Sequence, residues 1–491
     1  MFECNKINYK STKLNIILNS FRMLLTVLVP LITFPYLAHV FGVEGMGKIN
    51  FAISVTAVFT LFASLGIYTY GVRNGSSVRN SKIRFSKFAY ELLSINFFAV
   101  ILVYIVFFVC INTIPAFIEN KGLLIIYGMS IMFSALGLDW VFGVYEDYIY
   151  ITLRQIIAQV CIILLMFLLV HSPNDIYIWA LASTIVTILV NVANYFASKK
   201  YIYFKIPDFK TLLLRPHIYP VFILFITQLA AKAGSDLNVI MLGIMTSNRE
   251  TGLYSIVAKV INILITCFAA MTPVLVPKIV ILLKENNAAD FKSFIHKIFR
   301  MMLFIAIPAA IGLYTLSDEI IGVIGGKKFS DAAVTLRILA PVIVFAALNN
   351  VIYYNYFVPL CLEKYVLFCT ACVLFLNLFL SFCLIENLLH NGTALGYLGA
   401  EFIGFILSSY IAFKKCGIKI WDFSCLYKYL VAGLMIFIYI NFIKIFLNEG
   451  IIWTLIFTIT GSMCLYFFVL YLLRDEFILE ILIWLKGGKK G

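Results

Sequence analysis

At 491 residues the chain is long enough for several water-soluble domains, yet 63% of it is apolar, only 13% is charged, and its mean hydropathy is +1.00. No soluble fold hides that much apolar surface behind so few charges, so disordered, collagen-like, disulfide-stapled and secreted-enzyme classes are excluded. The formal charge of +14, from 38 Lys and Arg against 24 Asp and Glu, would suggest nucleic acid in a soluble protein; here it is the distribution between apolar runs that carries information.

The chain opens with a polar, basic stretch, MFECNKINYKSTK, followed by an apolar run too long for a signal peptide and with no small-residue cleavage site, so the first span is expected to be retained. Apolar runs then fall at 14–41, 49–71, 89–112, 122–145, 149–171, 175–197, 217–245, 253–276, 297–316, 336–359, 364–385, 393–413, 427–447 and 451–473. A bilayer crossing takes about 20 apolar residues, and lipid offers no partner to a free amide, so each run is expected to be a helix. The expected fold class is an all-α polytopic membrane protein with about fourteen transmembrane helices.

Basic residues set the orientation. With the N-terminus in the cytoplasm, 28 of the 38 Lys and Arg are assigned to that side, in loops or at the ends of runs, and seven to the outer side. The other three, Arg22, Lys232 and Lys259, lie within spans, where a charge is costly and usually faces a cavity or a partner. Both termini are thereby assigned to the cytoplasm.

The longest stretches between runs are about 20 residues, so no soluble domain is expected. The basic segment 198–216 divides six spans from eight and reads as a connector between a lobe at 1–197 and a lobe at 217–413, with 414–491 adding two helices and a cytoplasmic tail. A short internal repeat agrees with this division: FGVEGMGKINFAIS (41–54) and LGIMTSNRETGLYSIVAK (242–259) each carry an outer acidic residue (Glu44, Glu250), a glycine (Gly47, Gly252) and an aromatic residue opening the next helix. Transporters are commonly built from such repeats, with the substrate path between them.

Motifs for soluble chemistry are missing. There is no GxxxxGK[ST] loop, no HExxH and no GxSxG, so no cofactor, metal or catalytic residue is expected. The eleven cysteines, Cys369 and Cys372 included, sit mostly in apolar runs and read as small hydrophobes. What remains is charge inside the membrane. Lys232 and Asp236 are four apart on one expected helix face, and Lys259, Arg22, Arg73, Arg154 and Asp139 could complete a polar interior. A cation-lined path suits an anionic substrate such as a phosphate, with Asp236 and Asp139 as ion-coupling candidates and Gly47, Gly252 and Glu250 as gating turns.

Several stretches resemble one family, the polysaccharide (O-antigen or repeat-unit) flippases of the multidrug, oligosaccharidyl-lipid, polysaccharide (MOP) superfamily. They are PLITFPYLAHVFGVEGMGKINFA (30–52), LGIYTYGVRNGS (65–76), DWVFGVYEDYIYITLRQ (139–155), LGIMTSNRETGLYS (242–255) and GGKKFSDAAVTLRILAP (325–341), in family order over about 400 residues. The family's tyrosine-glycine-x-arginine word lands on Tyr70, Gly71 and Arg73. Its tryptophan-to-arginine word lands on Trp140, Gly143, Glu146, Asp147 and Arg154, and its turn on Glu250, Gly252 and Tyr254. His39 and Asn74 stand where the family commonly has Arg and Glu.

The resemblance implies a V-shaped core of two six-helix bundles, with two peripheral helices after it. It also implies a flippase, not an enzyme, that moves polyprenyl-diphosphate-linked oligosaccharides across the bacterial cytoplasmic membrane for O-antigen or capsule synthesis. Membrane lipids, a polysaccharide polymerase and a chain-length regulator are candidate partners, and nucleic acid is not. A drug or cation exporter of the same superfamily and an integral-membrane glycan polymerase are the alternatives.

Overall fold

The computed structural model describes residues 12–203, 212–285, 288–416, 423–446 and 451–479, and these are almost entirely helical, with no strand among them. In chain order the helices are α1 (Thr12–Ser64), α2 (Ile67–Val78), α3 (Lys82–Thr113), α4 (Pro115–Glu119), α5 (Lys121–Ala135), α6 (Asp139–Val144), α7 (Tyr148–Leu169) and α8 (Ile176–Ser198). They continue with α9 (Arg215–Met245), α10 (Asn248–Lys284), α11 (Ala288–Thr315), α12 (Ser317–Gly325), α13 (Ala332–Leu339), α14 (Val342–Asn350), α15 (Glu363–Cys416), α16 (Phe423–Phe446) and α17 (Ile451–Leu472). A π-helical turn, Val351–Phe357, follows α14.

Among the described residues, eleven helices are long and apolar enough to cross a membrane, and twelve with α9, whose halves Arg215–Leu229 and Gly234–Met245 are bent by 66°. The sequence reading expects fourteen. The difference of two is one of counting: two expected pairs of runs are joined into one stretch each, Leu28–Val78 (51 residues) and Glu363–Lys415 (53 residues), and either is about twice the length that one crossing needs. Leu28–Val78 is broken at Gly42 (φ 68°, ψ −171°) and again at Leu65 (φ 48°) and Gly66 (φ 72°), and Glu363–Lys415 at Leu389 (φ 51°, ψ −131°). Gly42 adopts a positive φ without a Cβ penalty; Leu389 does not, and its neighbour Gly392 lies so near the Leu384 carbonyl that a Cβ there would come within 2.4 Å of it.

By internal packing the chain forms two compact units: Met1–Phe41 with Lys48–Asp236, and Gly42–Gly47 with Leu237–Gly491. The division falls inside α9. The start of α9 groups with the first unit because Glu91 of α3 accepts hydrogen bonds from the Leu213 amide (3.0 Å) and engages His217 Nε2 (3.0 Å), while the Tyr70 hydroxyl meets His217 Nδ1 (2.8 Å). The other end of the 198–216 segment is tied to α3 as well, since the Tyr203 amide donates to Ser86 Oγ (2.9 Å).

The first unit's core gathers Ile67, Tyr70, Phe85, Phe88, Leu92 and Trp140. The second contains a cluster around Tyr429, Ile436, Ile440, Tyr466 and Leu470, which seats α16 and α17 on α11. Lys444 of α16 adds an ion pair to Glu319 (2.8 Å).

Candidate functional site

The family words of the first unit pack on one another. A Cβ on Gly71 would come within 2.7 Å of the Trp140 ring, so the glycine lets α2 close on α6. Tyr70 is buried and held by His217, whereas Arg73, one turn on, is exposed with no carboxylate paired to it among the described residues.

Below this contact lies a polar knot. Arg154 of α7 donates through Nη1 to Asp139 Oδ1 and to Asn194 Oδ1, Asn194 Nδ2 donates to Asp139 Oδ1 (2.6 Å), and the Tyr150 hydroxyl donates to Asn194 Oδ1 (3.2 Å). Arg154 is 13% exposed and Asp139 46%, so the acid faces outward and the base inward. Arg154 Nε is buried without a partner, and the bonds to Asp139 and Asn194 use Nη1 alone, so the guanidinium keeps donors unspent. The structure thus joins two candidates that the sequence placed separately.

At the adjoining end, Tyr145 and Tyr201 stack (4.1 Å between centroids), Tyr201 donates to Asp147 (2.9 Å), and Arg79 pairs with Glu146 (3.1 Å). Burial pushes the Tyr145 phenol up to about 12, against the opposing pull of Arg79.

In the second unit the repeated turns meet backbone to backbone. A Cβ on Gly47 would lie 1.7 Å from the Asn248 carbonyl oxygen, and one on Gly252 2.0 Å from that of Val43. Both glycines are therefore steric requirements of the contact between residues 42–47 and the start of α10. Ser247 caps α10 by accepting from the Glu250 amide (3.4 Å), and the Glu250 side chain turns to His390 Nδ1. His390 is buried and follows the break at Leu389. Beyond it, a buried amide chain links Tyr254, Asn238 and Asn377: Asn238 Nδ2 donates to the Tyr254 hydroxyl (3.1 Å), and Asn377 Nδ2 to Asn238 Oδ1 (3.0 Å).

Of the remaining candidates, Asp236 accepts from Ser54 Oγ (3.0 Å), and Lys259 is exposed on α10. The Arg22 and Lys232 side chains lie outside the described residues, and with Lys232 the expected Lys232–Asp236 pair. Sequence reasoning missed Asn194, Asn238, His390 and Glu401. Asn and Glu inside apolar runs were the available signal. Among the described residues, no group of three or more His, Cys, Asp or Glu is placed to hold a metal.

The second unit also holds an apolar cavity of about 600 Å³ between α11, α14, α15 and α16, lined by Leu303, Ile307, Phe345, Phe405, Leu430 and Phe437 among others.

Residues 13–283, more than half of the chain, match the family described as polysaccharide biosynthesis protein. The chain belongs to that family. It is 22% identical over 329 residues to the "Putative O-antigen transporter" of Escherichia coli K12, covering 66% of this chain and 78% of that protein. Among solved structures, the lipid II flippase MurJ in an inward closed conformation superposes with a TM-score of 0.78 at 18% identity, over 95% of this chain and all of that one. An inward-facing multidrug resistance MATE transporter of the MOP superfamily superposes at 0.61 and 14% identity, over 82% and 98%. This family member therefore shares the multi-pass helical fold of both solved structures, and the resemblance to a polysaccharide family read from the sequence is borne out.

Proposed function

We propose that the protein is a flippase that carries polyprenyl-diphosphate-linked oligosaccharide repeat units from the cytoplasmic to the outer face of a bacterial cytoplasmic membrane by alternating access. The observation that carries this reading is the family match, supported by a named relative described as an O-antigen transporter and by the fold shared with a lipid II flippase. The residues add chemical support. Arg73 and Arg154 offer guanidinium groups of the kind that bind a diphosphate, and the apolar cavity of the second unit is suited to hydrocarbon. Lys232, Lys259 and Arg22 remain candidates for the same path. Energy comes from an ion gradient, with Asp236 and Asp139 as candidate coupling groups, and a polymerase and a chain-length regulator act on the delivered units.

The test is the sidedness of lipid-linked glycans in a strain lacking the gene. Complete single units trapped on the cytoplasmic face are expected. Single units that reach the outer face unjoined would indicate a polymerase, and an unchanged glycan pool with altered drug sensitivity a drug exporter.

A further inference from the structure

One carboxyl group lies inside a span and outside every contact described above. Glu401 sits near the middle of the apolar run 393–413 in α15, with no other charged residue in that run. Among the described residues no Lys, Arg or His pairs with it; its side chain has one hydrogen-bonding neighbour, Asn349 of α14, whose Nδ2 donates to Oε2 at 3.0 Å. The Asn349 amide is oriented by its other end, because Ser408 Oγ donates to Asn349 Oδ1 at 3.0 Å. Asn349 thus turns a donor, not an oxygen, toward the acid.

The surroundings are unusual in a second, independent way. The π-helical turn Val351–Phe357 begins two residues after Asn349, and such turns are frequent at functional sites. Within it the Tyr353 hydroxyl and Asn355 Oδ1 are buried with no hydrogen-bond partner. Tyr353 and Tyr397 are within electrostatic reach of Glu401, Cys369 and Cys372 of α15 adjoin Tyr353, and Tyr254 of α10 adjoins Tyr397. All of these groups are neutral acids in their ordinary state. None can balance a fixed negative charge, and a lone carboxylate in a membrane interior relieves its cost by taking up a proton.

We infer that Glu401, with Asn349, Ser408 and Tyr353 around it, forms a reversible proton-binding site in the second unit. A metal cation fits poorly, because one carboxylate is the only anionic ligand and Asn349 presents N–H to it. Asp139 is a different case, since its oxygen is already engaged by Arg154 and Asn194. If the flippase reading holds, the Glu401 site is where the second unit senses the proton gradient; the binding itself does not depend on that reading.

The experiment is infrared difference spectroscopy of the purified full-length protein between acidic and alkaline buffer. A protonated-carboxyl C=O band that appears with acid, is missing in Glu401→Gln and returns at a shifted frequency in Glu401→Asp is expected. Asn349→Ala should displace the pH at which the band disappears, which a merely structural role for Asn349 would leave unmoved. Identical spectra for wild type and Glu401→Gln would overturn the proposal. So would loss of the band on replacing potassium chloride by sodium chloride at fixed pH, which would assign the site to a metal cation. A glycan-trapping phenotype without the band removes the proton site and leaves the flippase reading, whereas the band without trapping does the reverse.

Discussion

Arg154 owes its importance to what it leaves behind if removed. Arg154→Ala would strip Asp139 and Asn194 of their shared donor, and because Asp139 is nearly half exposed, the loss should be about 1–2 kcal/mol, less than for a fully buried pair. A thermal melt in detergent measures it. Arg73 should behave oppositely: exposed and without a paired acid, it can be changed to Ala with stability kept within about 0.5 kcal/mol, while export of lipid-linked glycan falls. Equal loss of both would make Arg73 structural. Tyr145 provides a pH test. Its folded phenol titrates at about 12 and its unfolded one near 10, so the unfolded state releases its proton first, and the stabilisation is complete below pH 10 and lost as pH rises toward 12. Tyr145→Phe should flatten the fall in melting temperature on going from about pH 9 to about pH 11. These groups were only partly legible beforehand. Arg154 and Asp139 were noticed as charges, but their union needs Asn194, and a single Asn in an apolar run shows neither which face it occupies nor what lies opposite. Glu401 was missed for the same reason.

At the scale of helices, the apolar runs located nearly every crossing because lipid leaves the backbone no alternative to helix. What composition could not show is where a helix bends without ending. Gly42 and Leu389 break their helices while the chain continues on both sides, and α9 bends between Leu229 and Gly234 inside a run that reads as one straight helix. The assumption that Lys232 and Asp236 share a face rested on that straightness. The repeated glycines were legible as a pattern, but the pattern did not reveal that the two copies touch. Gly47→Ala and Gly252→Ala each force a methyl against a carbonyl and should cost about 1–3 kcal/mol, seen as a lower melting temperature, whereas Gly312→Ala, with open space around it, should cost little. Equal effects at all three positions would mean that the close backbone contact is not the cause.

For the molecule as a whole, ends assigned to the same side of the membrane by basic-residue counting do meet. Val43, Gly47, Asn248 and Gly252 come together among the outer ends, as do Glu250 and His390, while Arg79 with Glu146 and Ser86 with Tyr203 do so among the cytoplasmic ones. Each of these contacts joins two ends that the basic-residue count puts on one side, and the side that faces the cytoplasm is assigned by charge alone.

The six residues Gly42–Gly47 belong to the second unit although everything around them in the chain belongs to the first. The second unit is thus not a continuous stretch of gene. A hybrid that joins the first 236 residues of this protein to the remainder of a relative would carry a foreign 42–47 segment into the relative's second half, and should be recovered in lower yield than the same hybrid with residues 42–47 exchanged to match. Recombination between family members is therefore constrained at two distant places at once, and a crossover within α9 is silent only when a second exchange accompanies it.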